Sequence, residues 1–256
     1  MNNQTILYEK AEGIATITIN RPHKLNALSL DSYRELRQAF KEVEGDGEVR
    51  AVVLTGVGER AFCAGDDIAI WVDISLVETR SFMKEAMAIL MEIEKTEKPS
   101  IAAVNGLALG SGLELCLACD IVIASERAAF GLPEPRLGMS PGYGILRLPQ
   151  VIGSKRARRM LLTGESIGAQ EAREFGLAHR VVSPGELMAA AREEAERLKA
   201  VAPLSSALIK AALNRQGGGE DVEYITEMAT LLLVTEDSRE GARAFVERRS
   251  PRFKGK

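Results

Sequence analysis

The stretch SIAAVNGLALGSGLELCLACDIVIAS, residues 100–125, decides the fold class. Residues 100–104 and 120–125 are short apolar runs rich in β-branched side chains, which are typical of buried strands. Between them, residues 110–119 predict a helix that is opened by glycines. A strand, a helix and a second strand in this order predict an α/β fold.

The same alternation continues on both sides of this stretch. Glu12-Gly13 predicts a turn between two strands, and Ser29 is the predicted N-cap of the next helix. A long amphipathic helix should end at the Lys98-Pro99 step, because proline does not continue a helix. The predicted strands are 5–9, 14–19, 51–56, 100–104, 120–125 and a run near 176–182, and the predicted helices are 30–44, 75–96, 110–119, 184–200, 203–215 and 221–247.

The predicted elements become mostly helical after about residue 154. No low-complexity linker marks this change, and the glycine run at 217–219 is long enough only to break a helix. We therefore predict one α/β core, residues 1–195, followed by a helical region, residues 196–256, that packs on it.

Composition and charge exclude several classes of protein. The chain has 256 residues, 46% of them hydrophobic, and a formal net charge of −3, so it lacks the overall basic field that attracts nucleic acid. The N-terminus does not resemble a secretory signal, and no stretch approaches the roughly 18 apolar residues that span a bilayer. These features predict a cytoplasmic protein without a membrane or nucleic-acid partner.

The cysteines and histidines do not form a recognisable metal site. Cys116 and Cys119 have metal-ligand spacing, but no second pair accompanies them, and core packing explains both in an apolar helix. Cys63 is the remaining cysteine, and three thiols in a chain of this length predict no disulfide framework. With only His23 and His179 available, a histidine-based triad or metal site is not expected.

Glycines at strand-to-helix turns beside acidic residues mark the segments that could carry chemistry. They are AFCAGDDI at 61–68, NGLALGSGLELCLACD at 105–120 and FGLPEPRLGMSPGYG at 130–144. The helix that begins near Gly110 leaves its first N–H groups without intrahelical acceptors. These donors lie at the positive end of the helix dipole, so the N–H of Ser111 is suited to an oxygen that becomes negative.

Together these segments resemble the enoyl-CoA hydratase/isomerase (crotonase) family, and are most similar to its hydratases. RPHKLNALS at 21–29 and LTGESIGAQEAREFGLAHRVV at 162–182 also agree in order and spacing, so the resemblance covers nearly the whole chain. It implies an α/β fold of the crotonase (ClpP-like) type, a spiral of ββα repeats with a helical C-terminal oligomerisation region. It also implies a coenzyme A (CoA) thioester as substrate, no cofactor beyond that CoA, no metal, and assembly as a homotrimer or homohexamer.

The resemblance assigns the catalytic groups. The backbone N–H of Asp66 becomes a second donor beside Ser111, which completes an oxyanion hole for the thioester oxygen. Glu114 and Glu134 match the two glutamates of family hydratases: Glu114 would activate water, and Glu134 would deliver a proton to the α carbon. Two carboxyls around one water should titrate together, with one apparent pKa raised.

The same resemblance places the CoA moiety of the substrate. Lys24 would contact a phosphate, and the turn at 64–68 would receive the adenine through backbone carbonyls. The residues predicted to bind substrate or CoA are Lys24, Ala27, Ala64, Asp67, Ile68 and Gly110. Residues near 71–90 and 139–147, or a neighbouring subunit, would form the acyl pocket.

Two positions depart from the family pattern. Ser111 replaces the usual glycine and Asp66 replaces a small residue, so the Asp66 side chain could select substrates or face solvent. Other reactions of the fold remain open, including double-bond isomerisation, racemisation and dehydration of a CoA ester. A noncatalytic RNA-binding relative is a further alternative, but it would be expected to lack a glutamate or to carry a strongly basic face.

Overall fold

The first of two sheets is built from the strands that the sequence predicts. The computed structural model describes residues 4–72, 74–215 and 219–256, with the side chains of 219–225 excluded. The strand order of this sheet is β1-β2-β3-β5-β7-β10, in which only the β1–β2 pair is antiparallel. The strands in the described residues are β1 Ile6–Ala11, β2 Ile14–Ile19, β3 Ala51–Gly56, β4 Ala61–Cys63, β5 Ser100–Val104, β6 Leu107–Leu109, β7 Ile121–Ser125, β8 Ala129–Gly131, β9 Ser166–Gly168 and β10 Arg180–Val182.

The second sheet, of order β4-β6-β8-β9, consists of three-residue strands. The sequence analysis did not predict these strands, because three residues are too few to show a period. Strands β4, β6 and β8 are parallel to one another, and β9 is antiparallel to β8. Successive passes of the chain place one long strand in the first sheet, one short strand in the second, and then a helix. This arrangement is the predicted spiral of ββα repeats.

Helices cover the first sheet on both faces. One face packs on α7 through a cluster that includes Val53, Ile101 and Ala191, and the other faces a larger core that includes Leu54 and Phe62. The helices of the described residues are α1 Leu30–Gly45, α2 Leu76–Lys95, α3 Ser111–Ala118, α4 Tyr143–Ile152, α5 Ser154–Thr163, α6 Ala169–Glu174, α7 Leu187–Lys199, α8 Pro203–Leu213, α9 Gly219–Leu233 and α10 Glu236–Glu247.

Local signals set several helix ends as predicted. Ser29 caps α1 by accepting a hydrogen bond from the Ser32 N–H, and Ser32 returns one to the Ser29 N–H. The turn at Glu12-Gly13 is also present, with positive φ at both residues. The predicted boundary between residues 195 and 196 falls inside α7, and the division into core and helical region remains a prediction.

The single helix predicted over 221–247 is wrong. It is two helices, α9 and α10, because Thr235 adopts an extended conformation and its side chain accepts a hydrogen bond from the Ser238 N–H at 3.1 Å. Acidic residues in the first turn of α10 favour this new N-terminus. The predicted break at 217–219 lies largely outside the described residues. None of the helices described is both long and apolar enough to cross a bilayer.

Candidate active site

The carboxyl ends of three short parallel strands bring the predicted catalytic groups to one place. Asp66 follows β4, Ser111 follows β6 and Glu134 follows β8, each within three residues of the strand end. Because β4, β6 and β8 are adjacent and parallel, their carboxyl ends lie along the same edge of the sheet. Residues that are far apart in sequence therefore meet there.

A cavity of about 610 Å³ opens at this edge. Asp66, Ser111, Glu114 and Glu134 all line it, so the structure places the predicted catalytic set around a single space. The rest of the lining is Tyr33, Ala64, Gly65, Ile68, Trp71, Ile74, Thr79, Met83, Ala86, Met87, Leu90, Gly110, Pro133, Leu137, Met139, Ser140, Pro141 and Gly142.

Two backbone N–H groups at the cavity are available to a ligand. Two other amides of the same turn are used, since Ala64 donates to the Leu25 carbonyl at 3.1 Å and Asp67 to the Leu28 carbonyl at 2.8 Å. In contrast, no acceptor in the described part of the chain takes a hydrogen bond from the N–H of Asp66 or Ser111. This is the condition that the predicted oxyanion hole requires.

Glu114 is held firmly in the first turn of α3. It is only 6% exposed, and its Oε1 accepts a hydrogen bond from the Gly144 N–H at 2.8 Å. Burial raises the pKa of the Glu114 carboxyl to about 7, and the negative charges of Glu134 and Asp66 add to this rise. The hydrogen bond from the Gly144 N–H acts in the opposite direction and lowers the pKa. The sequence had marked the segment ending at residue 144, but not the role of this amide.

Glu134 begins a short 3-10 turn, Glu134–Leu137, that follows Pro133 and ends at Gly138. Its Oε1 lies close to Gly110, and a Cβ added to that glycine would be 2.9 Å from this oxygen. Its Oε2 is buried and has no hydrogen-bond partner in the described chain, so the hydrogen-bonding capacity of this oxygen is unsatisfied. Burial raises the pKa of Glu134, as does the charge of Asp66. Both glutamates, rather than one, therefore have a raised pKa.

The Asp66 side chain faces the cavity rather than bulk solvent. Its Oδ1 accepts hydrogen bonds from the Tyr33 hydroxyl at 2.9 Å and from the Ser111 hydroxyl at 2.8 Å. Tyr33 lies on the buried face of α1 and was not among the predicted site residues. Since a buried tyrosine hydroxyl usually needs a partner, its position on that face indicated that it has a partner, but not that the partner is Asp66.

The residues predicted to bind substrate or CoA fall into two groups. Ala64, Ile68 and Gly110 line the cavity, whereas Lys24, Ala27 and Asp67 do not. The carboxylate of Asp67 is held by Arg21 at 3.0 Å and by Lys24 at 3.5 Å. An incoming phosphate would therefore compete with Asp67 for the Lys24 ammonium. The phosphate contact remains a prediction.

The acyl pocket predicted near 71–90 and 139–147 has a matching wall. Trp71, Met83, Met87 and Leu90 line the cavity from one side, and Met139 lines it from the other.

Cys63, Cys116 and Cys119 are buried free thiols, which agrees with their interpretation as core residues. Among the described residues, no three potential metal ligands of the histidine, cysteine or acidic type come together.

Comparisons with known proteins identify the family of the chain. A profile of the enoyl-CoA hydratase/isomerase family matches residues 9–256. A short-chain-enoyl-CoA hydratase of Clostridium acetobutylicum is 41% identical over 254 residues, which are 97% of each chain. A crotonyl-CoA hydratase of Syntrophomonas wolfei is 39% identical over 258 residues, 99% of each chain.

Solved structures extend this agreement to the whole fold. The crystal structure of an enoyl-CoA hydratase from Bacillus anthracis has a TM-score of 0.95 and 36% identity, and the match covers 99% of this chain and 100% of that one. A match of this extent covers both sheets and the C-terminal helices. The chain therefore belongs to the enoyl-CoA hydratase/isomerase family.

Proposed function

We propose that the protein is an enoyl-CoA hydratase, which adds water to a 2-enoyl-CoA and forms a 3-hydroxyacyl-CoA. One observation carries this proposal: Glu114 and Glu134 face a single cavity that also contains the free amides of Asp66 and Ser111. Two carboxyl groups can move the two protons that hydration requires, and two amides can stabilise the enolate that forms between them.

The reaction begins with the thioester carbonyl between the two amides. Their hydrogen bonds draw electron density toward the oxygen, and each donor contributes about 3 kcal/mol to the stability of the developing oxyanion. The β carbon of the conjugated double bond then accepts the water oxygen. Ionised Glu114 takes a proton from that water, while protonated Glu134 gives a proton to the α carbon.

The balance of this step is one water added and no change in oxidation state. The hydroxyl bonds to the β carbon, the C=C electron pair of the enolate takes the proton of Glu134 to form the new C–H bond at the α carbon, and the thioester C=O is restored. The proton that Glu114 took from water must return to Glu134 before the next turnover. Because both glutamates act from one side of the substrate, we infer syn addition. Hydration of this kind calls for no metal or redox cofactor, and CoA enters only as part of the substrate.

We infer a short acyl chain from the relatives described above, which are named for short-chain and crotonyl substrates. We also propose assembly as a homotrimer or homohexamer through the C-terminal helices. In support, large apolar side chains there are strongly exposed, including Leu213, Leu233, Phe245 and Val246. A cytoplasmic location completes the proposal, since CoA thioesters are intermediates of the cell interior.

A panel of 2-enoyl-CoA esters tests the reaction directly. Loss of the absorbance of the conjugated thioester, together with a mass gain of one water in the product, would support hydration. A product of unchanged mass with a shifted double bond would instead identify an isomerase. No change with any ester would contradict the proposal.

A further inference from the structure

A group of three polar side chains lies at the cavity without a part in the proposed reaction. The hydroxyls of Tyr33 and Ser111 both donate to Oδ1 of Asp66, from α1 and α3 respectively. Tyr33 is 1% exposed and Ser111 is 7% exposed, so neither hydroxyl is free to turn toward bulk water. The two bonds therefore fix the direction in which the carboxylate points.

The second oxygen of this carboxylate is free. No hydrogen bond or ion pair from the described residues reaches Oδ2 of Asp66, and this atom is not sealed inside the protein. Since Asp66 lines the cavity, Oδ2 is open to whatever fills it. In the empty site, water can hydrate this oxygen.

Asp66 lies near both of the proposed catalytic carboxyls. Its negative charge raises the pKa of Glu114 and also that of Glu134, so it lies within electrostatic reach of both catalytic carboxyls. The hydrogen bond to Ser111 joins it to one of the residues whose amide would hold the thioester oxygen. In the proposed function that amide holds the thioester oxygen, so the acyl group would begin beside Asp66.

An ordinary hydrocarbon chain would leave Oδ2 unsatisfied. Much of the surrounding wall is apolar, formed by residues such as Trp71, Met83, Met87 and Leu90. When such a chain displaces water, a carboxylate oxygen loses its hydration and gains no donor in return, which is costly. A chain that carries a hydroxyl group can replace the lost water.

We propose that Asp66, held by Tyr33 and Ser111, is a specificity-determining residue that selects 2-enoyl-CoA esters with a hydrogen-bond donor, such as a hydroxyl group, on the carbon next to the double bond. This inference rests on the proposed function for the position of the acyl chain. Ser111 and Tyr33 are positioning residues in this arrangement, because they orient the acceptor, and their hydrogen bonds oppose the rise that burial causes in the pKa of the Asp66 carboxyl.

Two substrates of equal size test the selection. We would compare 4-hydroxy-2-butenoyl-CoA with 2-pentenoyl-CoA, in which a methyl group replaces the hydroxyl. The wild-type protein should favour the hydroxylated ester in kcat/KM by about 10-fold or more, since a site built to bind a hydroxyl rejects its apolar analogue. Asp66→Ala should bring this ratio close to one, mainly by improving the reaction of 2-pentenoyl-CoA.

Tyr33→Phe is the matched control. It removes one hydroxyl from the group but keeps the carboxylate and the Ser111 bond. The preference for the hydroxylated ester should persist in this variant, even if kcat falls for both substrates. If Asp66 only braced the site, both variants would lower kcat/KM equally for the two esters, and this equal loss would overturn the proposal.

Saturated esters separate this inference from the proposed reaction. Binding of 4-hydroxybutanoyl-CoA and pentanoyl-CoA can be measured by calorimetry, because neither contains a double bond to hydrate. Tighter binding of the hydroxylated ester, lost in Asp66→Ala, would support the inference even if no ester were hydrated. Wild-type protein that hydrates both unsaturated esters without preference would contradict the inference and leave the proposed function intact. This wild-type measurement decides the question even if Asp66→Ala does not fold.

Discussion

Glu114 and Glu134 share one cavity, but very different structures hold them. Glu114 stands on α3, whose Gly112 is so close to β4 that a Cβ there would overlap the carbonyl oxygen of Cys63. Glu134 stands on a four-residue turn that ends at Gly138, where a Cβ would meet open space. The comparison indicates that core packing positions the proposed base, whereas local turn geometry positions the proposed acid.

The largest expected effect is the loss of either carboxyl. Glu114→Gln and Glu134→Gln should each lower kcat for hydration by a factor of about 10² to 10⁴, because each removes one proton transfer. Circular dichroism should show a retained fold. An unimpaired kcat in either variant would remove that glutamate from the mechanism.

Hydrogen exchange can separate the two roles. If Glu134 handles the proton at the α carbon, Glu134→Gln should abolish exchange of the α hydrogens of butanoyl-CoA in heavy water. Glu114→Gln should retain this exchange, because Glu114 takes its proton from water and not from the α carbon. The reverse pattern in mass spectrometry would exchange the two assignments.

A pair of glycine substitutions compares the two supports. Gly112→Ala should lower the free energy of unfolding by about 3 kcal/mol or more, because the new methyl group meets backbone that cannot move freely. Gly138→Ala should cost only about 1 kcal/mol, from its positive φ of 72° in open space. Equal losses in chemical denaturation would show that the two supports are not different in rigidity.

The pH dependence of stability should distinguish the buried glutamate. The pKa of Glu114 is raised from 4.5 to about 7, so the folded protein retains a proton that the unfolded chain releases. This difference in pKa leaves the free energy of unfolding unchanged below pH 4.5. As the pH rises through 7, it lowers the free energy of unfolding by up to about 3 kcal/mol. Glu114→Gln should raise the free energy of unfolding at pH 8 by about this amount, and have little effect at pH 4.5.

The same carboxyl should shape the pH dependence of activity. Because hydration needs ionised Glu114 and protonated Glu134 together, kcat/KM should pass through a maximum, falling in acid as Glu114 becomes protonated and in alkali as Glu134 ionises. Equal stability of Glu114→Gln and wild type at pH 8 would contradict the assigned pKa, whatever the activity profile.

The smallest effect concerns the support of the turn. Arg136 Nε donates to the Thr163 carbonyl at 2.9 Å and joins the Glu134 turn to α5. Arg136→Met should lower kcat by about 3-fold, because it removes one hydrogen bond and leaves the core unchanged. Arg127→Met, which breaks an exposed pair with Glu59, should leave kcat at the wild-type value. A similar fall in both variants would show that the first effect is not specific to the turn.

Local signals in the sequence were sufficient for much of the fold. Strands of five or six residues, such as β3 and β5, were predicted at their observed bounds because their apolar runs are long enough to recognise. The cap at Ser29 was predicted for the same reason, since capping depends on neighbouring residues. The break at Thr235 was missed, because a threonine within a helical pattern does not by itself reveal its backbone conformation.

The candidate site shows the other limit. Both glutamates could be identified by resemblance. The Ser111 amide could be identified from the exposed amides of a helix N-terminus. The Tyr33 hydroxyl on Asp66 and the Gly144 amide on Glu114 could not, since each contact joins residues about thirty positions apart. Pairs of this kind become visible only when the packing of α1, α3 and α4 is known.

The sequence by itself determined the α/β class, the long strands, the ends of several helices and the residue types available for chemistry, because these depend on periodicity and on near neighbours. Only the tertiary structure decided how β4, β6 and β8 align, and therefore that Asp66, Ser111, Glu114 and Glu134 surround one cavity. The physical reason is that strands of three residues have no period of their own. Pairing with neighbouring strands sets their register. Burial by the rest of the chain raises the pKa of the Glu114 carboxyl near their ends.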